Sequence, residues 1–251
     1  MTRDSRPVRV AIIDNSVFPD VYQPVGHWSR YLPAEWEAFT ARHHQFPDLR
    51  GFSHMILTGS EASILEPESW VFEEAEVVRE AVRSGLVVLG SCWGHQLLAF
   101  ALAGPGHVAR CAKPEIGWIA VRLAAESDLL GPAGEEPLTF SIHFDEVRDI
   151  GGIFEVLASS DACAVQAMRL KDAPVWGLQC HPEVDIPTGL KFLRDLVDRG
   201  FKGEKALIEA LASLPVDSGL IRRIVPAFLA LTPRTPVNSI FSLDKKLGSR
   251  S

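Results

Sequence analysis

The sequence predicts an α/β protein with a mostly parallel central sheet, helices on both of its faces and a smaller antiparallel sheet region. Two mainly apolar runs, residues 8–13 with Arg9 as the one charged member and residues 86–89, are typical of strands that are buried on both faces. Between them, apolar residues recur every three or four positions over residues 70–83, as in an amphipathic helix. Because parallel neighbours need a crossover connection, this order of elements favours a parallel sheet.

Strands and helices alternate along the first half of the chain. The strand at residues 8–13 is followed by an apolar strand at residues 54–57, which stops at Thr58 and Gly59. The amphipathic helix ends at Gly85, and the strand at residues 86–89 runs into a glycine-rich turn. An apolar helix at residues 96–103 follows, stopped by glycine and proline. This half therefore carries the parallel part of the predicted sheet.

The second half has shorter strands, separated by Gly, Pro and Asp clusters, which predict the antiparallel region. These strands are residues 118–123, 138–140, 154–158, 164–168 and 175–179. Three helices follow at residues 190–197, 204–214 and 220–231, the last interrupted by Pro226. Residues 232–251, rich in Pro, Ser and Lys, are expected to be a flexible tail.

Composition narrows the class of protein. The chain has 251 residues, 47% of them hydrophobic, and a formal net charge of −7. It therefore lacks the excess of positive charge that is typical of nucleic-acid-binding proteins. No apolar stretch approaches the roughly 18 residues of a membrane span. Four cysteines without regular spacing indicate a reducing compartment, which we expect to be the cytoplasm. No phosphate loop or dinucleotide fingerprint occurs, and we expect no cofactor.

Cys92 is the candidate nucleophile. It lies between a buried strand and an apolar helix and is flanked by Gly90 and Gly94, the setting of a nucleophile elbow. Small neighbours are needed there because adjacent Cβ atoms would collide in so sharp a turn. The N-terminus of the following helix points at the sulfur and favours a thiolate.

His181 and Glu183, at the end of the last predicted strand, are the candidate partners of Cys92. A thiol nucleophile needs a base, and the base needs a third group that fixes its tautomer. The i, i+2 spacing places both side chains on one side of an extended segment. A catalytic triad is therefore predicted, and it is assembled in space rather than along the chain.

Together these motifs resemble those of the class I glutamine amidotransferases. The family's G-x-C-x-G-x-Q turn is matched by residues 90–96, and its H-P-E motif by residues 181–183. Residues 58–63 fall where the family has a glycine-rich loop, and residues 142–145 where it has a His-x-Asp-like segment. Residues 113–118 are similar to the Glu-Ile-Gly-Trp stretch of stand-alone members of the GMP-synthase-glutaminase type.

The resemblance covers residues 8–197 and implies hydrolysis of the side-chain amide of glutamine, with ammonia passed to an acceptor on a separate synthase subunit. It implies Cys92 as nucleophile, His181 as acid and base, and Glu183 as the group that orients the histidine. The other roles it implies fall into two sets. The oxyanion hole comprises backbone N–H groups of Gly59 or Ser60 and Trp93, and the substrate contacts comprise Gln96, His143, Phe144 and Asp145.

The chain departs from the family pattern at three of these positions. Ser60 and Glu61 stand where the family commonly has glycine and proline, and Phe144 stands where it has glycine. Backbone donors survive the first two changes, whereas Phe144 adds bulk to the substrate pocket. Acyl transfer is therefore predicted more firmly than strict specificity for glutamine.

Several alternatives remain at this point. A free-standing hydrolase of γ-glutamyl compounds would use the same triad, and a non-catalytic binding protein of this fold would not need it. A zinc site at Cys92, His95, Cys180 and His181 is disfavoured, because Cys180 alternates away from His181 on a strand. The helical extension at residues 198–231 either completes the core or forms a surface for a partner or for a homo-oligomer.

Overall fold

The computed structural model describes residues 7–150, 152–201 and 203–235. Within these ranges the strands are β1 (Arg9–Asp14), β2 (Glu35–Thr40), β3 (His54–Leu57), β4 (Val87–Ser91), β5 (Val108–Ala120), β6 (Arg122–Leu123), β7 (Leu138–Val147), β8 (Phe154–Ser159), β9 (Ala167–Leu170) and β10 (Val175–Leu178). The α-helices are α1 (Pro24–Ser29), α2 (Ser69–Arg83), α3 (Trp93–Leu102), α4 (Ile186–Asp198), α5 (Glu204–Ala212) and α6 (Ile221–Ala230).

The main sheet of the described chain has eight strands in the order β2-β1-β3-β4-β10-β9-β8-β6. The first five pair in parallel, and the last three are added antiparallel. A second sheet consists of the antiparallel pair β5 and β7. The predicted fold class, a mostly parallel sheet with a smaller antiparallel region, is confirmed.

Helices cover both faces of the main sheet. Alternate residues of β1 belong to opposite apolar clusters, because successive side chains of a strand point to opposite faces. Ala11 and Ile13 pack in the cluster that includes α2 and α3, whereas Val10 and Ile12 pack in the cluster that includes α6. A third cluster joins α4 and α5 to β7. Among the described residues, no helix is long and apolar enough to cross a membrane.

Two features of the first half differ from the prediction. β2 was missed because it is an edge strand whose first four residues are exposed, so it carries no apolar run. The helix after the glycine-rich turn begins at Trp93, directly after Cys92, rather than at residue 96. Cys92 therefore occupies the N-cap position of α3 itself.

Pro226 does not interrupt the last helix, as the sequence had suggested. α6 continues through Pro226, which lies on its exposed face, so the carbonyl left without an N–H partner can face solvent. On the other face Ile221, Ile224, Val225 and Phe228 are buried. The apolar face of α6 is thus part of the core of this chain. The predicted tail lies outside the described residues from residue 236 onward.

Candidate active site

Cys92 lies at a sharp turn between β4 and α3. Its backbone adopts φ 49° and ψ −104°, a conformation that residues with a side chain rarely adopt. The flanking glycines are needed by close packing: a Cβ on Gly90 would lie 2.5 Å from Gly94 O, and one on Gly94 would lie 2.3 Å from Leu57 O. The turn holds the thiol at the N-terminus of α3, whose positive dipole end faces the sulfur.

His181 and Glu183 follow β10, which pairs in parallel with β4. Because β10 and β4 are parallel, the carboxyl ends of these two strands meet at the same edge of the sheet, the usual place for active sites in such folds. Nδ1 of His181 donates to Glu183 Oε1 at 2.8 Å, and both residues are buried. His181 lines the same cavity as Cys92. The structure thus brings together the three residues predicted as a triad.

The charges of this group support one another. Burial lowers the pKa of His181, but the neighbouring Cys92 and Glu183 outweigh burial and raise the pKa above its ordinary value. Burial raises the pKa of Glu183, but the His181 ring and its hydrogen bond outweigh this, and the net pKa is lowered. Its two neighbours therefore favour the charged form of the His181 ring, which suits a group that must accept and hold a proton.

Tyr22, which the sequence did not indicate, holds Glu183 from a distant part of the chain. Its hydroxyl donates to Glu183 Oε1 at 2.8 Å and lies 3.3 Å from His181 Nδ1. Arg30 donates to the backbone oxygen of Glu183 at 2.7 Å. Ser91 lies 3.3 Å from Glu183 Oε2. No motif marks Tyr22 or Arg30, and only their position in the fold shows their contact with Glu183.

Three backbone N–H groups are available near the thiol. Within the part of the chain that the structure describes, those of Gly59, Ser60 and Trp93 have no hydrogen-bond partner. Ser60 and Trp93 line the cavity beside Cys92. Gly59 packs closely on the triad, since a Cβ there would lie 2.6 Å from His181 Cε1. These are the donors that the sequence predicted for an oxyanion hole.

The four predicted substrate contacts, Gln96, His143, Phe144 and Asp145, line one cavity of about 530 Å³ with Cys92 and His181. Gln96 uses its amide within the protein, donating to Asp145 O at 2.8 Å and to Gln179 Oε1 at 3.2 Å. Its observed contacts thus position the wall of the cavity.

Asp145 presents a carboxylate in this cavity that has two partners. Arg110 lies 2.9 Å from its Oδ1, and Ser63 donates to its Oδ2 at 2.6 Å. The sequence did not single out Arg110, which occupies an exposed position of the long strand β5. The wall around Asp145 therefore combines a cation, an anion and a hydroxyl, which suit the charged groups of an amino acid.

Behind this wall lies a buried polar network. His143 donates from Nδ1 to Asp145 O at 3.0 Å, and its Nε2 lies 3.1 Å from Glu115 Oε2. Ser160 and Gln166 donate to the same Glu115 carboxylate. The potential metal-ligand atoms of Glu115, His143 and Cys163 lie within 4.8 Å of one another, close enough to bind one metal ion. The Glu115 carboxylate, however, already accepts hydrogen bonds within the protein. We therefore interpret these residues as a hydrogen-bond network that stiffens the pocket wall.

The four residues that the sequence analysis considered as a zinc site are not arranged around one point. His95 faces β10, where a Cβ on Gly177 would lie 2.4 Å from its Nδ1. Burial lowers the pKa of His95 to about 3, so its ring is neutral. Among the described residues, the donor atoms of Cys92, His95, Cys180 and His181 do not converge as a group.

Comparison with known proteins points to one family. The model of the family "Glutamine amidotransferase class-I" matches residues 41–198. A GMP synthase (glutamine-hydrolyzing) subunit of Methanocaldococcus jannaschii is 41% identical over 104 residues, covering 41% of this chain and 54% of the relative. The corresponding subunit of Pyrococcus furiosus is 36% identical over 97 residues, 39% of this chain and 50% of the relative. The chain thus spans about half the length of the curated relatives it matches.

Solved structures show the same fold. A glutamine amidotransferase from Thermotoga maritima superposes with a TM-score of 0.71 at 20% identity, covering 90% of this chain and 100% of that chain. A glutamine amidotransferase from Methylobacillus flagellatus gives 0.69 at 22% identity, covering 89% and 92%. Because the family model matches more than half of the sequence, this chain belongs to the class I glutamine amidotransferases.

Proposed function

We propose that this chain hydrolyses the side-chain amide of glutamine through a γ-glutamyl thioester on Cys92 and releases ammonia. The observation that carries the proposal is that Cys92 and His181 line one cavity, that Glu183 holds the His181 ring from behind, and that backbone N–H groups without a partner among the described residues lie beside them. This is the combination of nucleophile, oriented base and anion-stabilising donors that acyl transfer requires.

In the first half of the reaction, the Cys92 sulfur attacks the carboxamide carbon and the carbonyl oxygen becomes an oxyanion. N–H groups of Trp93 and of Gly59 or Ser60 stabilise that oxyanion. His181 takes the thiol proton and donates it to the leaving nitrogen, so that the carbon–nitrogen bond breaks and ammonia departs. Glu183 keeps the His181 ring in the required tautomer.

In the second half, water attacks the thioester. His181 accepts a proton from that water and returns a proton to the Cys92 sulfur as the carbon–sulfur bond breaks. Glutamate is released and the thiol is restored. Arg110, Asp145 and Ser63 hold the α-carboxylate and α-amino groups, since theirs are the paired charges that line the cavity.

The acceptor of the ammonia is proposed to be a separate synthase subunit. The relatives are named as one subunit of GMP synthase, which implies at least one further subunit. The four cysteines are free thiols, which supports a reducing compartment, the cytoplasm.

Ammonia release from glutamine by the purified chain tests this proposal. Cys92→Ala should lower the rate at least about a thousandfold, because it removes the group that becomes acylated. Val78→Ala is the matched control, since Val78 of α2 is also a small buried side chain but does not line the cavity. A Cys92→Ala protein that releases ammonia as fast as the natural chain would refute covalent catalysis.

A further inference from the structure

The cavity around Cys92 is larger than glutamine requires. Cavities of roughly 300–1,000 Å³ accommodate drug-sized ligands, and this one has about 530 Å³. Its charged side chains, Glu61, Arg110 and Asp145, all have partners within the protein. Much of the remaining lining is apolar and offers nothing to the α-amino or α-carboxylate group of a substrate. The apolar part therefore faces another part of the ligand.

The position of His181 identifies that part. As the acid that protonates the leaving nitrogen, His181 marks the side of the cavity from which the amine departs. Tyr22 packs edge-on against its ring at 5.6 Å, and Phe192 stacks on Tyr22 at 5.5 Å. Leu196 lies one turn further along the same face of α4. The amine side of the site therefore adjoins apolar side chains of α4.

Two more aromatic rings extend this surface. Phe144 stands where the family has glycine, and it lies close to the backbone of Gly203, where a Cβ would be 3.2 Å from its ring. Phe201 lines the cavity and is held edge-to-face by Phe18, with centroids 6.1 Å apart. We call Phe144, Phe192, Leu196 and Phe201 the aromatic wall. It combines rings from β7, from α4 and from the segment that follows α4.

We propose that the same site cleaves γ-glutamyl amides whose amine carries an aromatic group, and that the aromatic wall binds that group. The inference rests on the thioester chemistry proposed above. Cys92 forms the same bond to the γ-carbonyl carbon, the carbon–nitrogen bond breaks, and the proton from the thiol goes through His181 to the departing amine. Water then hydrolyses the thioester to glutamate, so the products are glutamate and the free aromatic amine.

The test compares kcat/KM for three substrates: glutamine, γ-glutamyl ethylamide and γ-glutamyl benzylamide. The benzylamide should exceed the ethylamide by at least about tenfold, because apolar groups in a fitted pocket discriminate by factors of this order. Phe201→Ala and Phe144→Gly should each lower the benzylamide-to-glutamine ratio at least about fivefold. Phe72→Ala, at an exposed phenylalanine of α2, is the matched control and should leave the ratio unchanged.

The outcomes separate this inference from the proposed function. If glutamine is hydrolysed but the benzylamide is cleaved no faster than the ethylamide, the inference is wrong and the proposed function stands. If Cys92 is not acylated by any of the three substrates, both fail. If Phe72→Ala lowers the benzylamide-to-glutamine ratio of kcat/KM as much as Phe201→Ala and Phe144→Gly do, the aromatic wall does not select the substrate. Should Phe201→Ala fail to fold, Phe144→Gly alone decides the role of the wall.

Discussion

Tyr22 fixes the third member of the triad through a single hydroxyl group. In Tyr22→Phe the aromatic packing against His181 and Phe192 is kept, but Glu183 loses the 2.8 Å hydrogen bond. We expect kcat to fall about tenfold with KM little changed, since groups that orient a catalytic side chain contribute on this order. Steady-state kinetics measures the split, with Tyr31→Phe as control. Equal kcat in both variants would show that Tyr22 has only a packing role.

Glu74 of α2 is a fully buried carboxyl group that has no role in the proposed reaction. Burial raises its pKa to about 8, and a hydrogen bond from the Asn15 side chain offsets only part of this effect. Between its ordinary pKa near 4.5 and about 8, the folded chain keeps a proton that the unfolded chain has lost. The free energy of unfolding therefore falls as the pH rises through this window.

Glu74→Gln removes this titration while keeping the shape of the side chain. We expect the variant to melt several degrees above the natural chain at about pH 9, and close to it at about pH 5, as linkage requires. Scanning calorimetry at the two pH values makes the comparison. Glu66→Gln, at an exposed glutamate, serves as control. An equal difference at both pH values would contradict the raised pKa of Glu74.

The site residues that could be predicted from the sequence are those that lie in short motifs. Glycines around Cys92 and the proline between His181 and Glu183 constrain the local backbone, and such constraints can be recognised without a structure. Tyr22 and Arg110 have no such neighbours. They reach the site through strand order and loop packing, which residue spacing does not encode.

Among the elements, the loop after β3 places Gly59 against the His181 ring. In Gly59→Ala the new methyl would lie 2.6 Å from His181 Cε1 and 3.1 Å from the Tyr22 hydroxyl, so the imidazole must move. We expect kcat to fall about a hundredfold, because misplacing a catalytic group by about 1 Å has this effect. Gly106→Ala meets no atom within 4 Å and is the control. Kinetics and melting curves together distinguish loss of catalysis from loss of folding.

The elements that the sequence predicted are those with a continuous or periodic apolar pattern. Burial on both faces makes the strands β1, β3 and β4 mainly apolar along their length, and burial of one face makes α2 apolar along one stripe. Both patterns can be recognised in the sequence. β2 is held by its backbone pairing with β1, which leaves no such trace. α6 tolerates Pro226 because burial of its opposite face outweighs one missing hydrogen bond.

For the whole molecule, α6 closes one face of the main sheet. Phe228 is fully buried there, and His54 of β3 donates to its backbone oxygen at 3.0 Å. Phe228→Ala should lower the free energy of unfolding by about 3–5 kcal/mol, the usual cost of such a cavity. Leu214→Ala, at a side chain that is 86% exposed, should change it by about 0.5 kcal/mol or less. Denaturant titration measures both, and equal effects would contradict the packing of α6.

Truncation after Val197 extends this test to the helical extension as a unit. We expect the shortened chain to aggregate or to melt at a markedly lower temperature, because several large side chains of the extension lose their burial. A folded truncation with unchanged melting would place α5 and α6 outside the core and would favour a role in contacting a partner. The sequence left these two alternatives open, since helical periodicity shows that a face is apolar but not what covers it.

The central claim, a γ-glutamyl thioester on Cys92, is tested most directly by the mass of the chain after brief incubation with glutamine and an acid quench. We expect a fraction of the natural chain to gain the mass of one γ-glutamyl group, and peptide mapping to place it on Cys92. Burial raises the pKa of Cys163 and of Cys180 to about 12, so these thiols should stay unmodified. Acylation of any other cysteine, or turnover of glutamine by a chain in which Cys92 is never acylated, would contradict the claim.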